Sequence, residues 1–311
     1  MTRVAIIGAG MTGLACARRL MLGGVQSTLF DKGRGIGGRV ATRRAAGLQF
    51  DHGAQYVTAK GTRFSTVMNE LHDSGDAAHW ADGTGRDHVV GAPGMSALPK
   101  ALAAGLEVRQ GIQVTSVQAE GPGWRLQSDQ SQHEATHVVI TVPAPQMADL
   151  LGAGHPLVEQ IGDVRFSPCL TLMAAVAGPA PFLSRHAPDD PLAWIAQDSS
   201  KPGRPQQDAT AWVAQAGVDF SVTHLEAEKP QIAALMLPLL CDRLGVLPDR
   251  VTHAVAHRWR YARVTQPLGQ PFVHAPGTTL YLGGDWCTGP RIEDAWTSGT
   301  AIAEDLLGTL A

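Results

Sequence analysis

The sequence has 311 residues, of which 44% are hydrophobic and 17% are charged, enough for one or two domains with a sizeable core. A formal net charge of −3 gives no general attraction for nucleic acid or anionic membranes, so neither is expected as a partner. The four cysteines lack C-x-x-C spacing, which predicts no zinc site and no disulfide framework, and indicates reduced thiols in a cytoplasmic protein. No apolar leader precedes the first predicted strand, and no run of about 18 apolar residues predicts a membrane span.

The first thirty residues predict a strand, a glycine-rich turn, a helix and a second strand. Residues 4–7 form an apolar run that is typical of a strand buried on both faces. Apolar residues at helical spacing follow the turn, and Gly23 and Gly24 end this helix. Residues 27–30 form the second strand, which finishes at Asp31.

The turn carries the pattern G-x-G-x-x-G at Gly8, Gly10 and Gly13, after a strand and at the start of a helix. The first glycine permits a tight turn, the second lets the backbone approach a pyrophosphate, and the third allows close packing of helix and strand. Unpaired N–H groups at the helix N-terminus attract phosphate. Asp31, 18 residues beyond Gly13, can accept hydrogen bonds from ribose hydroxyls and disfavours a ribose 2′-phosphate. The pattern predicts a dinucleotide site without separating FAD from NAD.

Two further segments favour FAD. After Asp31, four glycines alternate with three arginines, which suits a second clamp on a diphosphate because glycine lets the main chain approach a ligand and arginine binds phosphate oxygens. Near the other end of the chain, Gly283, Gly284 and Asp285 follow a predicted strand, and residues 292–296 open the last helix. Phosphate-binding elements near one end of the chain, with an acid and a helix near the other, suit an extended FAD better than NAD.

The remaining pattern predicts an α/β fold with two domains. Predicted strands cover residues 114–117, 124–126, 137–142, 251–261 and 279–282, and predicted helices cover residues 232–240 and 293–307. Residues 180–210, rich in Pro, Asp, Ser and Gly, predict an exposed loop around an apolar island at Trp194 and Ile195. We expect a discontinuous Rossmann-type FAD-binding domain of residues 1–60, 85–155 and 275–311, and a mixed α+β substrate domain of residues 61–84 and 156–274.

These motifs resemble the flavin amine oxidase superfamily, and within it the renalase family. The segments concerned are Gly37-Gly38-Arg39, Phe50 to Tyr56, Gly94 to Leu98, His257 to Ala262, and Gly284 to Trp296. The resemblance is good at both ends of the chain and poor over residues 100–250. Only Gly53-Ala54-Gln55-Tyr56 and Trp259-Arg260-Tyr261 favour renalase in particular. The architecture implied is the two-domain arrangement of amine oxidases and p-hydroxybenzoate hydroxylase.

The resemblance implies non-covalently bound FAD, with Arg39 near the cofactor and Asp285 at its ribityl-pyrophosphate region. The N-terminus of the last helix would point at the flavin pyrimidine edge and stabilise the anionic reduced ring. The cofactor-binding residues predicted on this basis and from the glycine pattern are Gly8, Gly10, Met11, Thr12, Gly13, Asp31, Lys32, Gly38, Arg39, Val114, Gly284, Asp285, Ile292, Asp294 and Ala295.

The implied activity is oxidation of NADH or NADPH isomers that are reduced at ring position two or six. The dihydropyridine gives a hydride to flavin N5 and becomes NAD(P)+, and O2 reoxidises the flavin to give H2O2. Loss of hydride alone creates the aromatic pyridinium, so positioning supplies most of the catalysis and no acid–base residue is predicted. We expect a monomer or weak homodimer. The candidate substrate-binding residues are the aromatic residues Trp259, Tyr261, Trp286 and Trp296, together with Gln55, Tyr56 and Arg260.

Other functions remain open from the sequence. An amine or polyamine oxidase is the nearest alternative, although none of Lys32, Lys60, Lys100, Lys201 and Lys229 lies in a segment that matches the flavin-linked lysine of many such enzymes. A desaturase, a non-catalytic flavin sensor and a colourless NAD-dependent dehydrogenase are further alternatives. His253 and His257 lie four apart, but alternation around them favours a strand and no third metal ligand is evident. Asp51-His52 has no accompanying serine elbow, which argues against a hydrolase triad.

Overall fold

The computed structural model describes residues 2–178 and 180–310, and this part of the chain contains eighteen strands and eight α-helices. The strands are β1 (Val4–Ile7), β2 (Ser27–Asp31), β3 (Thr42–Ala45), β4 (Leu48–Asp51), β5 (Ala77–Ala81), β6 (Asp87–Gly91), β7 (Glu107–Gln110), β8 (Val114–Glu120), β9 (Gly123–Ser128), β10 (Gln132–Ala135), β11 (His137–Ile140), β12 (Arg165–Ala177), β13 (Ser184–His186), β14 (Trp194–Gln197), β15 (Ala209–Gln215), β16 (Val251–Gln266), β17 (Val273–His274) and β18 (Leu280–Leu282). The helices are α1 (Met11–Leu22), α2 (Thr62–Asp73), α3 (Ala97–Leu102), α4 (Met147–Leu151), α5 (Pro156–Gln160), α6 (Val218–Thr223), α7 (Lys229–Leu244) and α8 (Ile292–Leu310).

A six-stranded sheet in the order β17-β18-β11-β1-β2-β7 forms the Rossmann-like part of the fold. All four residues of β1 are buried, and the strand pairs in parallel with β11 on one side and β2 on the other. The strands come from the beginning, the middle and the last third of the sequence. The predicted α/β class is confirmed, because helices cover a largely parallel sheet.

Helices α1 and α8 pack directly against each other beside this sheet. Each follows a parallel strand, β1 or β18, so both helices begin at the carboxyl edge of the sheet. Gly299 permits the close approach, because a Cβ at this position would collide with the carbonyl oxygen of Thr12. The glycine-rich turn and the last helix therefore meet at one edge of the sheet, where ligands of such folds bind.

A second sheet, in the order β13-β14-β15-β12-β16, is antiparallel. A helix covers one of its faces, and a hairpin covers the other. On one face, α7 packs against a core that includes Leu172 and Ala256. On the other face, the β3–β4 hairpin places Phe50 against Met173 and Val213. The alternation predicted for β16 holds from His253 to Trp259, where β12 and β16 pair in one register.

Two sequence expectations are wrong in this region. Residues 180–210 are not an exposed loop, because they supply β13 and β14 to the second sheet and bury Asp198, Lys201 and Arg204. Val251 packs on the α7 face and not beside His253, because the register of β12 against β16 shifts between Ala175 and Val176.

Two small antiparallel units complete the fold: a three-stranded sheet of β10-β9-β8 and a β5–β6 hairpin. Among the described residues, no helix is both long and apolar enough to span a membrane.

Candidate functional site

The glycine-rich turn has a tightly packed side and an open side. Gly8 has φ +104°, and a Cβ on Gly13 would collide with the carbonyl oxygen of Gly8. In contrast, a Cβ on Gly10 would meet no atom within 4 Å. Gly8 and Gly13 therefore fit the turn and the packing of α1, whereas Gly10 leaves a cradle that a phosphate group can enter.

Asp31 joins the two glycine-rich segments at the end of β2. One carboxylate oxygen accepts a hydrogen bond from the N–H of Ala9 at 2.7 Å, and the other accepts one from the N–H of Gly33 at 2.7 Å. Gly37 donates its N–H to the carbonyl of Ala9 at 2.8 Å, which adds a backbone link between the same segments. Each Asp31 oxygen keeps a further lone pair for a ligand hydroxyl.

Arg39 and Asp285, which the sequence separates by 246 residues, form a bidentate ion pair. The two N···O distances are 2.7 and 2.6 Å, and Arg39 also donates to the carbonyl of Ala262 at 3.2 Å. The Asp285 side chain is 6% exposed and that of Arg39 is 30% exposed. The pair joins the second glycine-rich segment, the C-terminal motif and the end of β16 at one point, and leaves part of the guanidinium open.

The N-terminus of α8 carries two buried carboxylates. Asp294 accepts a hydrogen bond from the backbone N–H of Arg291 at 2.9 Å, and Glu293 accepts bonds from the N–H groups of Lys60 and Gly61 at 2.9 and 2.6 Å. The sequence predicts a positive helix end, but these carboxylates offset part of that potential.

The other predicted cofactor residues are distributed around this edge with differing exposure. Gly38 is exposed, has φ +56° and lies beside Gly10. Met11, Thr12 and Ala295 are buried in the first turns of their helices, whereas Ile292 is half-buried and Lys32 is exposed. Gly284 is buried and donates its N–H to Ser298 Oγ. Val114 is buried at the start of β8, in a core behind the sheet.

Trp259 lies in a group of three aromatic rings whose association was not predicted from the sequence. Its indole N–H donates to the carbonyl of His52 at 2.7 Å, and its ring lies 5.3 Å from His52 in a stacked arrangement and 4.2 Å from His257. The two imidazole centroids are 4.9 Å apart. Gly53 follows His52 and lies against Trp259, because a Cβ there would come within 3.4 Å of the indole.

Both histidines in this group are poor proton acceptors. Burial lowers the pKa of His52, and the charge of Arg43 lowers it further. Burial also lowers the pKa of His257 to about 4, with contributions from His52, Lys229 and Arg43. The face beside Trp259 is therefore aromatic and uncharged at neutral pH.

The other aromatic candidates and Arg260 each have different neighbours from those of Trp259. Tyr261 packs on Phe166 with centroids 5.8 Å apart, and Trp296 lies on Phe64 at 5.5 Å. Trp286 is completely buried in the core and donates its indole N–H to the carbonyl of Val142 at 3.1 Å, so it presents no surface to a ligand. Arg260 points to the opposite face of β16, where it pairs with Glu226 at 2.6 and 2.8 Å.

Gln55 and Tyr56 are held by different neighbours. Gln55 is buried and donates its amide to the carbonyls of Asp51 and Gly53. Tyr56 stacks on His88 with centroids 4.0 Å apart, and His88 lies 3.0 Å from a carboxylate oxygen of Asp82. Burial opposes ionisation of Asp82, but hydrogen bonds from Thr84 and His88 outweigh it and lower its pKa to about 2.

A sealed cluster of four charged side chains lies beneath Gln55. Lys201 Nζ is 3.1 Å from Asp51 and 2.7 Å from Asp198, and Arg204 bonds to the same two carboxylates. All four side chains are at most 1% exposed. Lys201 also donates to Gln55 Oε1 at 3.4 Å, so the cluster fixes the segment that follows β4.

The two acids of this cluster differ in their tendency to ionise. Burial alone would raise the pKa of Asp51, but Lys201, Arg204 and a hydrogen bond from Thr42 hold it below the ordinary value. Burial and the neighbouring charge of Asp51 raise the pKa of Asp198. No local pattern predicts this cluster, because Asp51 lies about 150 residues before the other three members.

Comparison with known proteins places these features in a family. Residues 6–71 match the model of an NAD(P)-binding Rossmann-like domain, and residues 74–307 match that of the flavin containing amine oxidoreductases. The chain is 28% identical to mouse renalase over 98% of its own length and 99% of that protein, which confirms the resemblance to renalase over the whole chain. A 54-residue stretch is 44% identical to a 4,4′-diapophytoene desaturase of Staphylococcus haemolyticus, covering 17% of this chain and 11% of that protein.

Solved structures confirm the fold over its full length. A protein from Exiguobacterium sp. 255-15, assigned as a protoporphyrinogen oxidase, has a TM-score of 0.75 at 15% identity, with 99% of both chains covered. Wild-type putrescine oxidase bound to putrescine has a TM-score of 0.66 at 13% identity, again with 99% of both chains covered. The amine oxidoreductase model spans most of the sequence and agrees with the paired motifs at the edge of the Rossmann sheet. The chain therefore belongs to the flavin containing amine oxidoreductase family.

Proposed function

We propose that this flavin-dependent oxidoreductase binds FAD non-covalently and oxidises dihydronicotinamide dinucleotides that are reduced at ring position two or six. The products are NAD(P)+ and, with O2 as electron acceptor, H2O2. The observation that carries the proposal is an uncharged aromatic face, formed by Trp259, His52 and His257. Gly53 joins this face to Arg39, because a Cβ on Gly53 would meet both the Arg39 carbonyl and the Trp259 indole.

The residues around the glycine-rich turn fit a dinucleotide cofactor. The open cradle at Gly10 suits the pyrophosphate, and Asp31 has lone pairs free for ribose hydroxyls. Arg39 and Asp285 would hold the central part of the molecule from the two ends of the chain, with the first turn of α8 beside them. When bound, the flavin supplies the hydride acceptor and the site of reoxidation.

In this proposal, the protein binds and orients the substrate ring and transfers no proton. Trp259 gives a flat apolar surface for a nicotinamide ring, and its N–H bond to the His52 carbonyl fixes the indole plane. His257, with its pKa lowered to about 4, stays neutral and does not repel the pyridinium product. Catalysis then depends on how the substrate ring is oriented, because loss of the hydride needs no general base.

The pairing of the buried carboxylates argues against an amine substrate. A carboxylate stabilises an ammonium ion when its own charge is not already balanced, but Asp51 is paired with Lys201 and Arg204, and Asp285 with Arg39. Lys201 is itself held by two carboxylates, so it has little freedom to act as a separate lysine beside the flavin. An uncharged dihydropyridine ring fits this site better than a cationic amine.

Anaerobic stopped-flow spectroscopy of the purified yellow protein tests the proposal. Borohydride-reduced NAD contains the two-, four- and six-dihydro isomers, and we expect the minor isomers to bleach the flavin rapidly. Admission of air should restore the colour and release H2O2. Bleaching by spermine or benzylamine alone would favour the amine oxidase alternative, and a yellow protein inert to every compound would favour the sensor.

The remaining parts of the proposal concern the domain boundaries, the oligomeric state and the cellular compartment of the protein. We propose that residues 1–60, 85–155 and 275–311 form the FAD-binding domain and that residues 61–84 and 156–274 form the substrate domain, in a monomer or weak homodimer. The four cysteines are free thiols, which supports a reducing compartment such as the cytoplasm.

A further inference from the structure

A row of four side chains crosses the second sheet on the face that the β3–β4 hairpin covers. The row consists of Trp194 of β14, Gln215 of β15, Thr171 of β12 and His257 of β16, each directly opposite the next. Directly opposite residues on antiparallel strands project to the same face. Met173, two residues after Thr171, packs in one core with Phe50 of the hairpin, so the row and the hairpin share this face.

The segment that follows β4 runs along this row. Its contacts are His52 on His257 with centroids 4.9 Å apart, the Gly53 carbonyl on Gln215 Nε2 at 2.7 Å, and Tyr56 on Trp194 with centroids 5.7 Å apart. Gly53 also lies against Trp259, because a Cβ there would come within 3.4 Å of the indole. Gln215 and Trp259 therefore both contact Gly53, which places Gln215 beside the surface proposed for the nicotinamide ring.

The Gln215 amide is anchored at its nitrogen and open at its oxygen. A carbonyl can only accept a hydrogen bond, so the contact with Gly53 identifies Nε2 as the anchored atom. Among residues 2–178 and 180–310, no donor binds Oε1, and this oxygen is not sealed from solvent. Gln215 therefore presents a fixed and accessible acceptor to a ligand.

The neighbouring residue in the row leaves a donor open. Trp194 is 9% exposed, and its indole N–H has no partner in the described part of the chain. Its ring packs in the same core as Ala295 of α8, so this end of the row faces the proposed flavin edge. An open acceptor opposite an open donor fits a group that both donates and accepts, as a primary carboxamide does. An ammonium ion carries donors only.

The row carries no charge at neutral pH. Burial lowers the pKa of His257 to about 4, and the other three side chains do not ionise in this range. Asp51 and Lys201, at the base of the segment that follows β4, are paired with each other. A charged ring substituent would find no opposite charge in the row, whereas a neutral amide needs only hydrogen bonds.

We propose that Gln215 is a specificity-determining residue that binds the carboxamide of the substrate, with Oε1 accepting a hydrogen bond from its NH2 group while the nicotinamide ring lies beside Trp259. This inference rests on the proposed function and adds the ring substituent that the enzyme recognises. Contact with a flat indole leaves the ring free to rotate in its own plane. The hydrogen bond to Gln215 fixes that rotation, and so determines which ring carbon faces the hydride acceptor.

The test uses the flavin-loaded protein with NAD+ and one analogue of it. Calorimetry measures the Kd of NAD+ and of acetylpyridine adenine dinucleotide, in which a methyl group replaces the NH2 group. In the wild type we expect NAD+ to bind about fivefold more tightly, the effect of one neutral hydrogen bond. Gln215→Met keeps a side chain of similar length without the acceptor. It should reduce this ratio to about one and leave the affinity for the analogue within about twofold of the wild type.

Gln197→Met is the matched control. Gln197 lies in the adjacent strand β14, is also half-buried, and is opposite Trp212, which packs in the core under α7. It therefore projects to the other face of the sheet. This variant removes the same amide from the same sheet, so its ratio of the two dissociation constants should stay at about fivefold.

Three results would overturn the inference: equal affinity of the wild type for NAD+ and the analogue, an equal loss of both affinities in Gln215→Met, or the same change of ratio in Gln197→Met. Steady-state oxidation of borohydride-reduced NAD separates this failure from failure of the proposed function. Turnover by the wild type, with a ratio that does not depend on Gln215, would overturn only the carboxamide site. A ratio that depends on Gln215, without turnover of any dihydro isomer, would support the carboxamide site and overturn the oxidase.

Discussion

Two of the sites that pair arginine with aspartate differ in how far water can reach them. In the cluster of Asp51, Asp198, Lys201 and Arg204, every side chain is at most 1% exposed. At the edge of the Rossmann sheet, Asp285 is 6% exposed, but its partner Arg39 is 30% exposed. In these two sites, the same chemistry therefore occurs in a sealed position and beside the proposed cofactor site.

The difference in exposure assigns different roles to the two sites. A sealed group of charges is satisfied only by its own members, so losing one leaves the others buried and unpaired. An open pair can exchange part of its hydrogen bonding with a ligand. We therefore expect the sealed cluster to determine the stability of the fold, and the open pair to determine flavin retention.

The largest expected effect is that of Asp51→Asn, which removes a negative charge from between Lys201 and Arg204. Breaking a buried ion pair costs about 3–5 kcal/mol, and urea unfolding should report a loss of that size. Arg63→Ala, which breaks an exposed pair with Glu304, should cost about 0.5 kcal/mol or less. Similar losses of unfolding free energy in both variants would show that burial of the cluster does not increase its contribution to stability.

The glycine-rich turn offers the same contrast between a closed and an open position. Gly13→Ala should destabilise the protein by about 1–3 kcal/mol, because its Cβ would collide with the Gly8 carbonyl and the helix must shift. Gly10→Leu enters open space, so it should leave unfolding of the flavin-free protein nearly unchanged and abolish flavin binding. Full flavin occupancy in Gly10→Leu would refute the assignment of the cradle.

For the open pair, we expect a small effect on stability and a large one on the cofactor. Arg39→Ala should lower the free energy of unfolding of the flavin-free protein by about 1–2 kcal/mol, less than Asp51→Asn, because Asp285 loses its partner but water can enter the partly exposed space that the guanidinium leaves. The ratio of flavin absorbance to protein absorbance should fall more than tenfold. Arg39→Lys keeps the charge without the bidentate geometry, and should recover part of the flavin content.

A further expected effect concerns the pH dependence of stability. The pKa of His257 is about 4 in the folded protein and about 6.5 in an unfolded chain, so the unfolded state takes up the proton first as pH falls. Stability from this residue is present above pH 6.5 and is lost between about pH 6.5 and 4. His257→Gln should flatten the pH dependence of the urea midpoint over this range, and an unchanged slope would contradict the assignment.

The sequence predicted the parts of the site whose signals are local. Gly8, Gly10 and Gly13 lie within six residues, after an apolar strand, so spacing alone predicts the turn. The family resemblance supplied Arg39 and Asp285. Neither source predicts that these two side chains pair with each other, because that contact depends on how distant segments fold together.

Other features were missed because tertiary packing outweighed composition. β12 is an interior strand of the second sheet but was not predicted, since Leu172, Met173 and the alanines that follow favour helices. Pairing with β15 on one side and β16 on the other makes this segment a strand. Asp198, Lys201 and Arg204 similarly lie in a segment with the composition of a surface loop, and they are buried only because Asp51 completes their charge balance.

The close packing of α1 against α8 has a consequence for biosynthesis. Gly299 of α8 lies against the backbone of Thr12, yet about 270 residues separate the end of α1 from the start of α8. At ordinary translation rates, the ribosome reaches α8 on the order of half a minute after it completes α1. Throughout that interval the side of α1 that α8 covers in the folded protein has no partner.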